Sequence, residues 1–351
     1  MNEQVYVLIM AGGRGERFWP LSTPSLPKPF LKIIDGKSLI ELTYERAKKI
    51  VPQNRIFFVI GEEHKKPLLQ TIPGLGEESV ISEPEGRDTA ACIGYSALLM
   101  EDQEDPVIVV FPADHYIGRE DIFRRAIFKA IDLAKEGSHL VTFGIKPDRP
   151  ETGYGYIKVG EVIKWDDFPI FKVERFVEKP DLKKAMEYLE SGDYYWNSGM
   201  FVWRKSVILN EMGKYLPDLL EGLKECISAL RAKDTQRFRE SYSRLERISI
   251  DYGVMEKSEN VFMVRGDFFW DDIGTWSSII RIMGKDEDSN VILGNPYIKD
   301  VKGSLILSEE KNVGVLGLEG VIVVATKNGI LVCSKEYAQH VREIARYFSS
   351  K

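Results

Sequence analysis

Cysteine is scarce in this chain. Cys92, Cys226 and Cys333 are three in 351 residues, far apart and odd in number. They fit neither a zinc spacing nor a disulfide framework, which points to a reducing compartment. Histidine is nearly as rare, and His64, His115, His139 and His340 show no ligand spacing. Long apolar runs are missing. Stretches such as Val107–Phe111 are far short of the roughly 20 residues that a membrane helix needs. The first ten residues carry no Lys or Arg, so no secretory signal is expected. Positive charge is not in excess either: 48 Lys and Arg face 54 Asp and Glu, a net charge of −6. That balance argues against a nucleic-acid partner while leaving room for a local basic pocket. With 44% hydrophobic residues the chain can bury a sizeable core without disulfides or metal. The expectation is a cytoplasmic globular enzyme with no membrane partner.

Apolar β-branched runs alternate with helical patterns in the first 143 residues. Val5–Met10, Ile56–Ile60, Val107–Phe111 and Leu140–Phe143 read as strands. Between them Ser38–Val51, Thr89–Met100 and Asp121–Lys135 repeat apolar residues every three or four positions. Uninterrupted apolar strands separated by helices predict an α/β fold, with a Rossmann-like, mostly parallel sheet flanked by helices. Ligands of such sheets bind beyond the carboxyl ends of the strands, here the loops after Met10 and Phe111. Further strands are expected at Phe171–Val177 and Met200–Trp203, and helices at Leu182–Leu189, Pro217–Ala232 and Thr235–Leu245. After about Lys285 the texture changes. Short strands at Val291–Leu293, Ser304–Leu307, Val313–Leu316, Val321–Ala325 and Ile330–Val332 are punctuated by Gly and Asn. They predict a small β-rich, β-helix-like domain closed by a helix from Lys335 to Phe348. The expected division is therefore 1–285 and 286–351. Short strands leave unpaired edges, so this segment is expected to pack on the larger domain or on another subunit, as in a homodimer.

Directly after the first strand comes Ala11-Gly12-Gly13-Arg14-Gly15-Glu16-Arg17, and further on Pro27-Lys28-Pro29. Three glycines in four positions let backbone N–H groups form a concave anion nest, with Arg17 and Lys28 adding fixed charge. A bare glycine cluster is also compatible with a simple turn beside solvated cations. Two other phosphate motifs are excluded. Phe18 stands where the dinucleotide fingerprint needs its third Gly, and Leu31 where a P-loop ending in Gly36-Lys37-Ser38 needs its first. Gly94-Tyr95-Ser96-Ala97-Leu98 lacks the second Gly of a nucleophile elbow.

The string MAGGRGERFWPLSTPSLPKPFL at 10–31 resembles the signature of sugar-1-phosphate nucleotidyltransferases. Nine positions match at fixed spacing: Gly12, Gly13, Gly15, Arg17, Pro20, Leu21, Pro27, Lys28 and Pro29. The resemblance continues through EPEGRDTA (83–90), PADHYI (112–117), ETGYGYI (151–157), FVEKP (176–180), NSGMFVW (197–203) and FWDDIGTW (269–276). Together these resemble the mannose-1-phosphate guanylyltransferase (GDP-mannose pyrophosphorylase) family over about residues 5–280. The branch includes longer members with a fused isomerase domain, which 351 residues are not expected to hold.

The resemblance implies GMP transfer from GTP to mannose 1-phosphate, with Mg²⁺, giving GDP-mannose and pyrophosphate. It implies that Arg17 and the Gly12, Gly13 and Gly15 backbone hold the triphosphate, and that Lys28 contacts the reacting phosphates. Lys179 would hold the sugar phosphate and Glu178 the sugar hydroxyls, with Gly155 and Asn197 lining the same pocket. Gly86, Arg87 and Asp88 are the candidates for contacting the base, although the family more often has Asn where this chain has Asp88. Asp114 and Asp272 are the implied Mg²⁺ ligands. Read alone, Asp114 equally suits a helix cap, Glu178-Lys179 an exposed strand end, and Asp271 is chemically equivalent to Asp272. Three other readings stay open: a different sugar 1-phosphate or nucleotide, a non-catalytic regulatory binder of nucleotide sugars, and a glycosyltransferase. The presence of Lys28 with both carboxylates favours the enzyme.

Overall fold

The structure, a computed structural model, describes residues 5–100, 105–309 and 311–349. Residues 1–4 and 350–351, at the ends of the two expected domains, lie outside the described residues. The chain forms two compact units, each assembled from separate stretches of sequence. Residues 1–12, 43–113 and 117–270 make the first, and 13–42, 114–116 and 271–351 the second.

The first unit is built on nine strands: β1 (Val5–Met10), β2 (Ile56–Gly61), β3 (Val80–Glu83), β4 (Val107–Pro112), β5 (Leu140–Ile145), β6 (Tyr156–Lys164), β7 (Ile170–Val177), β8 (Tyr194–Arg204) and β9 (Val261–Gly266). Their order across the sheet is β3-β2-β1-β4-β8-β5-β9-β7-β6. From β3 to β4 all pairs are parallel, as is β5 with β9. β8 runs antiparallel between β4 and β5, and β7 antiparallel to β9 and β6. The uninterrupted apolar runs are the central parallel strands; Val107 to Phe111 are all buried. Leu8, Ile108, Val110, Phe201, Trp203, Met212 and Leu223 share one core. Each such side chain contributes about 1.5–3 kcal/mol by leaving water.

β8 begins at Tyr194, six residues before the expected Met200. Asn197-Ser198-Gly199 has the composition of a turn. In the strand, Asn197 is in register with Gly144 of β5, and its backbone N–H donates to Gly155 O at 2.8 Å, so the polar residue sits in a ladder position. β3, β6, β9 and the helix Lys205–Tyr215 are additions to the elements expected from periodicity.

The second unit holds the C-terminal strands β10 (Val291–Gly294), β11 (Tyr297–Lys299), β12 (Leu305–Ser308), β13 (Gly314–Leu316), β14 (Val321–Thr326) and β15 (Gly329–Ser334). β10, β12 and β14 pair in parallel, β15 joins β14 antiparallel, and β11 pairs with β13. These are the expected rungs of a β-helix-like coil. Alternation along them serves two cores. Ile306 and Val323 meet Val301 and Val315 inside the coil. Leu305, Leu307, Ile322 and Val324 turn the other way, onto Phe18, Leu21, Leu31, Ile33, Trp276 and Ile279. With both faces apolar, these strands read as continuous hydrophobic runs. The closing segment is a 3₁₀ turn, Lys335–His340, followed by an α-helix, Val341–Ser349.

Candidate active site

The loop after β1 passes from the first unit to the second between Gly12 and Gly13. Gly13 and Gly15 have φ of +98° and +65°, in the left-handed region that glycine enters at no steric cost. Gly15 has a second constraint: a Cβ there would lie 2.4 Å from Lys28 Cβ. Ser22 Oγ donates to Gly15 O at 2.6 Å and fixes the loop from the other side. Phe18, fully buried, anchors the following turn against Trp276 with ring centroids 5.1 Å apart. Pro27 and Pro29 frame the short 3₁₀ turn that carries Lys28.

Lys28 is buried, and its Nζ lies 2.9 Å from Asp114 Oδ2. It also donates to the Asp272 backbone oxygen at 2.5 Å. An ammonium has three N–H donors, so one remains for a ligand. Lys28, Asp114 and Asp272 line one cavity of about 420 Å³, together with Arg14, Gly15, Glu16, Arg17, Arg342 and Arg346. Arg17 Nε is buried there without a hydrogen-bond partner. A buried, unsatisfied guanidinium donor is costly, and an anion in this cavity is the natural acceptor.

The two neighbouring aspartates separate by geometry. Asp271 is only 2% exposed; its Oδ1 accepts from Ile273 N at 2.8 Å and its Oδ2 pairs with Arg281 at 2.7 Å. Asp272 lines the cavity. Two carboxylates on one cavity wall fit Mg²⁺, which takes one or two carboxylates and completes its shell with substrate phosphates and water. Among the described residues, no group of three His, Cys, Asp or Glu gathers as a metal site. His115 Nε2 is 3.9 Å from Asp114 Oδ1, beside the carboxylate on the same short segment.

The residues expected at the sugar come together in the first unit. A Cβ on Gly155 would sit 2.4 Å from Glu178 Oε1 and 3.4 Å from Asn197 Cβ, so only glycine leaves the Glu178 carboxylate in place. Glu178 is about 10% exposed, while Lys179 reaches solvent with its Nζ 3.5 Å from Glu178. Asn197 Nδ2 donates to Asp251 Oδ1 at 2.7 Å, and Asn197 Oδ1 accepts from Gly199 N at 3.1 Å. Asp251 is the residue the sequence does not reveal. Burial first, and the nearby Glu178 charge second, push its carboxyl up to about 7 against the pull of Asn197. Burial also raises Glu178, with Lys179 opposing it.

The EPEGRDTA segment presents Gly86 and Asp88 to solvent. Arg87 turns back instead, to Glu85, the Ser243 carbonyl and the Leu245 carbonyl. Glu83 at the segment's start accepts from Tyr242 Oη at 2.5 Å, and burial lifts its carboxyl to about 7. Gly12 is exposed at the end of β1. Among the described residues, no helix is long and apolar enough to cross a membrane.

Two family models match in succession. "Nucleotidyl transferase" covers residues 6–289, and "MannoseP isomerase/GMP-like beta-helix domain" covers 298–347. Over 348 residues the chain is 38% identical to a mannose-1-phosphate guanylyltransferase of Klebsiella pneumoniae, spanning 97% of this chain and 73% of that protein. The crystal structure of a mannose-1-phosphate geranyltransferase from Thermus thermophilus superposes with a TM-score of 0.86 at 36% identity, over 99% of each chain. A mannose-6-phosphate isomerase from Helicobacter pylori superposes with a TM-score of 0.63 at 33% identity, over 76% of this chain and 99% of that one.

Proposed function

We propose, from the premise that this chain belongs to the mannose-1-phosphate guanylyltransferase family, that it transfers GMP from GTP to mannose 1-phosphate. The products are GDP-mannose and pyrophosphate. The observation that carries the reading is Lys28, held between Asp114 and the Asp272 backbone on the wall of a cation-rich cavity. A phosphate oxygen of the sugar 1-phosphate attacks the α-phosphorus of GTP, and the bond to the β-phosphate breaks to release pyrophosphate. No general base is required. A phosphomonoester has its second pKa near about 6 and brings its own nucleophile at neutral pH.

The protein's task is to bring polyanions together and stabilise the charge that develops. At 4 Å and an effective dielectric near 20, one charge pair is worth about 4 kcal/mol. Arg17 and the backbone of Gly12, Gly13 and Gly15 receive the triphosphate, and Lys28 the reacting phosphates. Asp114 and Asp272 would hold Mg²⁺, which when bound supplies further positive charge at the phosphates. Glu178, with Asn197 and Gly155, accepts the sugar hydroxyls, and the exposed Lys179 takes the sugar phosphate. Gly86 and Asp88 face the base, while Arg87 holds their segment from behind. We place the functional boundary near residue 285, with 1–285 catalytic and 286–351 the β-rich domain. Tyr297, Leu316 and Val332, each more than 60% exposed on the C-terminal strands, support a homodimer. The free thiols of Cys92, Cys226 and Cys333 support a reducing, cytoplasmic location.

Pyrophosphate release for each nucleoside triphosphate against a panel of sugar 1-phosphates tests this reading. The largest kcat/KM is expected for GTP with mannose 1-phosphate. No release with any pair would favour a non-catalytic binder of nucleotide sugars.

A further inference from the structure

The phosphate cavity has a contributor that the catalytic motifs do not include. Arg342 and Arg346 both line it, and both come from the closing helix Val341–Ser349. Four residues apart, they lie on one helix face. We infer that Arg342 and Arg346 bind the polyphosphate of the nucleotide and of the leaving pyrophosphate. In that role the C-terminal segment is part of the nucleotide site.

Three observations carry this. The first is charge. The cavity wall presents five cations, Arg14, Arg17, Lys28, Arg342 and Arg346, against three carboxylates, Glu16, Asp114 and Asp272. Without the two helix arginines the wall would be neutral. A site for a triphosphate beside a sugar phosphate needs the excess. The second is donor availability. Arg346 Nε pairs with Glu16 Oε2 at 2.9 Å, which uses one of five guanidinium donors. Arg342 has no ion-pair partner among the described residues. The third is placement. Val341 and Ala345 are buried, and Phe348 stacks on Trp19 at 5.2 Å and 10°. The helix is therefore fixed beside the loop that carries Gly15 and Arg17. Planar guanidinium groups suit the bidentate recognition of phosphate oxygens.

The inference rests on the nucleotidyl-transfer reading, so its test includes a probe that needs no turnover. In the full chain, Arg342→Gln, Arg346→Gln and the double variant are compared with wild type. Binding of inorganic tripolyphosphate is measured by calorimetry, with KM for GTP, for pyrophosphate in the reverse direction, and for mannose 1-phosphate. Losing one charged hydrogen-bond donor corresponds to about a tenfold loss of affinity or more. Each variant should therefore bind tripolyphosphate about tenfold more weakly, with KM for GTP and pyrophosphate rising and KM for mannose 1-phosphate unchanged. Lys299→Gln removes an exposed cation that does not line the cavity, and should keep tripolyphosphate affinity. Unchanged tripolyphosphate binding by the double variant, or an equal loss in Lys299→Gln, would overturn the inference. A wild-type protein that binds tripolyphosphate through these arginines yet turns over no GTP would defeat the proposed reaction and leave the anion site standing.

Discussion

The phosphate cavity and the sugar pocket treat their carboxylates in opposite ways. In the cavity, Asp114 lies against Lys28 and Glu16 against Arg346, so each of the two has a cation within 3 Å. In the pocket, Glu178 and Asp251 are largely buried with one exposed lysine nearby, and both resist ionisation. On the proposed reading the difference follows the ligands. A site for phosphate needs fixed positive charge and tolerates only carboxylates that are neutralised or hold a metal. A site for neutral hydroxyls needs acceptors and can keep them dry.

The largest effect that would sharpen this contrast lies in the cavity. Asp114→Asn and Asp272→Asn should each lower kcat/KM about 10²–10³-fold, the range for losing one group that stabilises developing charge. If both hold one ion, the double variant loses little more, because groups acting as a unit are not additive. Raised Mg²⁺ should partly rescue the single variants. Losses that multiply in the double variant would give the carboxylates separate roles. Asp271→Asn marks the other side of the same dipeptide. It breaks the Arg281 pair and should cost about 1–3 kcal/mol of stability while keeping most activity. Thermal melts and initial rates on the three variants separate the two aspartates.

A smaller effect belongs to the pocket. The Asp251 carboxyl, raised to about 7, binds a proton in the folded state that the unfolded chain releases near pH 4. Stability therefore falls as pH rises through that window. Part of the residue's surface is open, which limits the cost. Asp251→Asn removes the charge and keeps an acceptor for Asn197. It should gain about 2 kcal/mol at pH 8 and almost nothing at pH 4. A gain independent of pH would show that Asp251 is not the strained acid of the pocket.

What the sequence makes legible follows from the same physics. Central parallel strands buried on both faces must be apolar throughout, so β1 and β4 are readable to within a residue. The turn in the glycine loop is readable because the left-handed backbone at Gly13 and Gly15 demands glycine, and family resemblance supplies the roles proposed around it. Polar positions inside strands are not: Asn197-Ser198-Gly199 has the composition of a turn, and what makes Asn197 a strand residue is its register partner Gly144, 53 residues away. Asp251 has no local signal at all, since its environment is made by Glu178 and Asn197. Asp271 and Asp272 are indistinguishable until Arg281 claims one of them. Arg342 and Arg346 read as an ordinary solvated helix face. Only the packing of 13–42 with 271–349 brings them beside the phosphate loop.

One steady-state matrix tests the division of labour most directly: kcat and both KM values for Lys28→Ala and Glu178→Gln against wild type. In the proposed reaction Lys28 acts where charge develops, so Lys28→Ala should lower kcat about 10²–10³-fold with little change in KM for mannose 1-phosphate. In the same proposal Glu178 holds the sugar in ground and transition states alike, so Glu178→Gln should raise that KM and leave kcat largely intact. A Lys28→Ala variant with normal kcat, or a Glu178→Gln variant whose loss is all in kcat, would contradict the account.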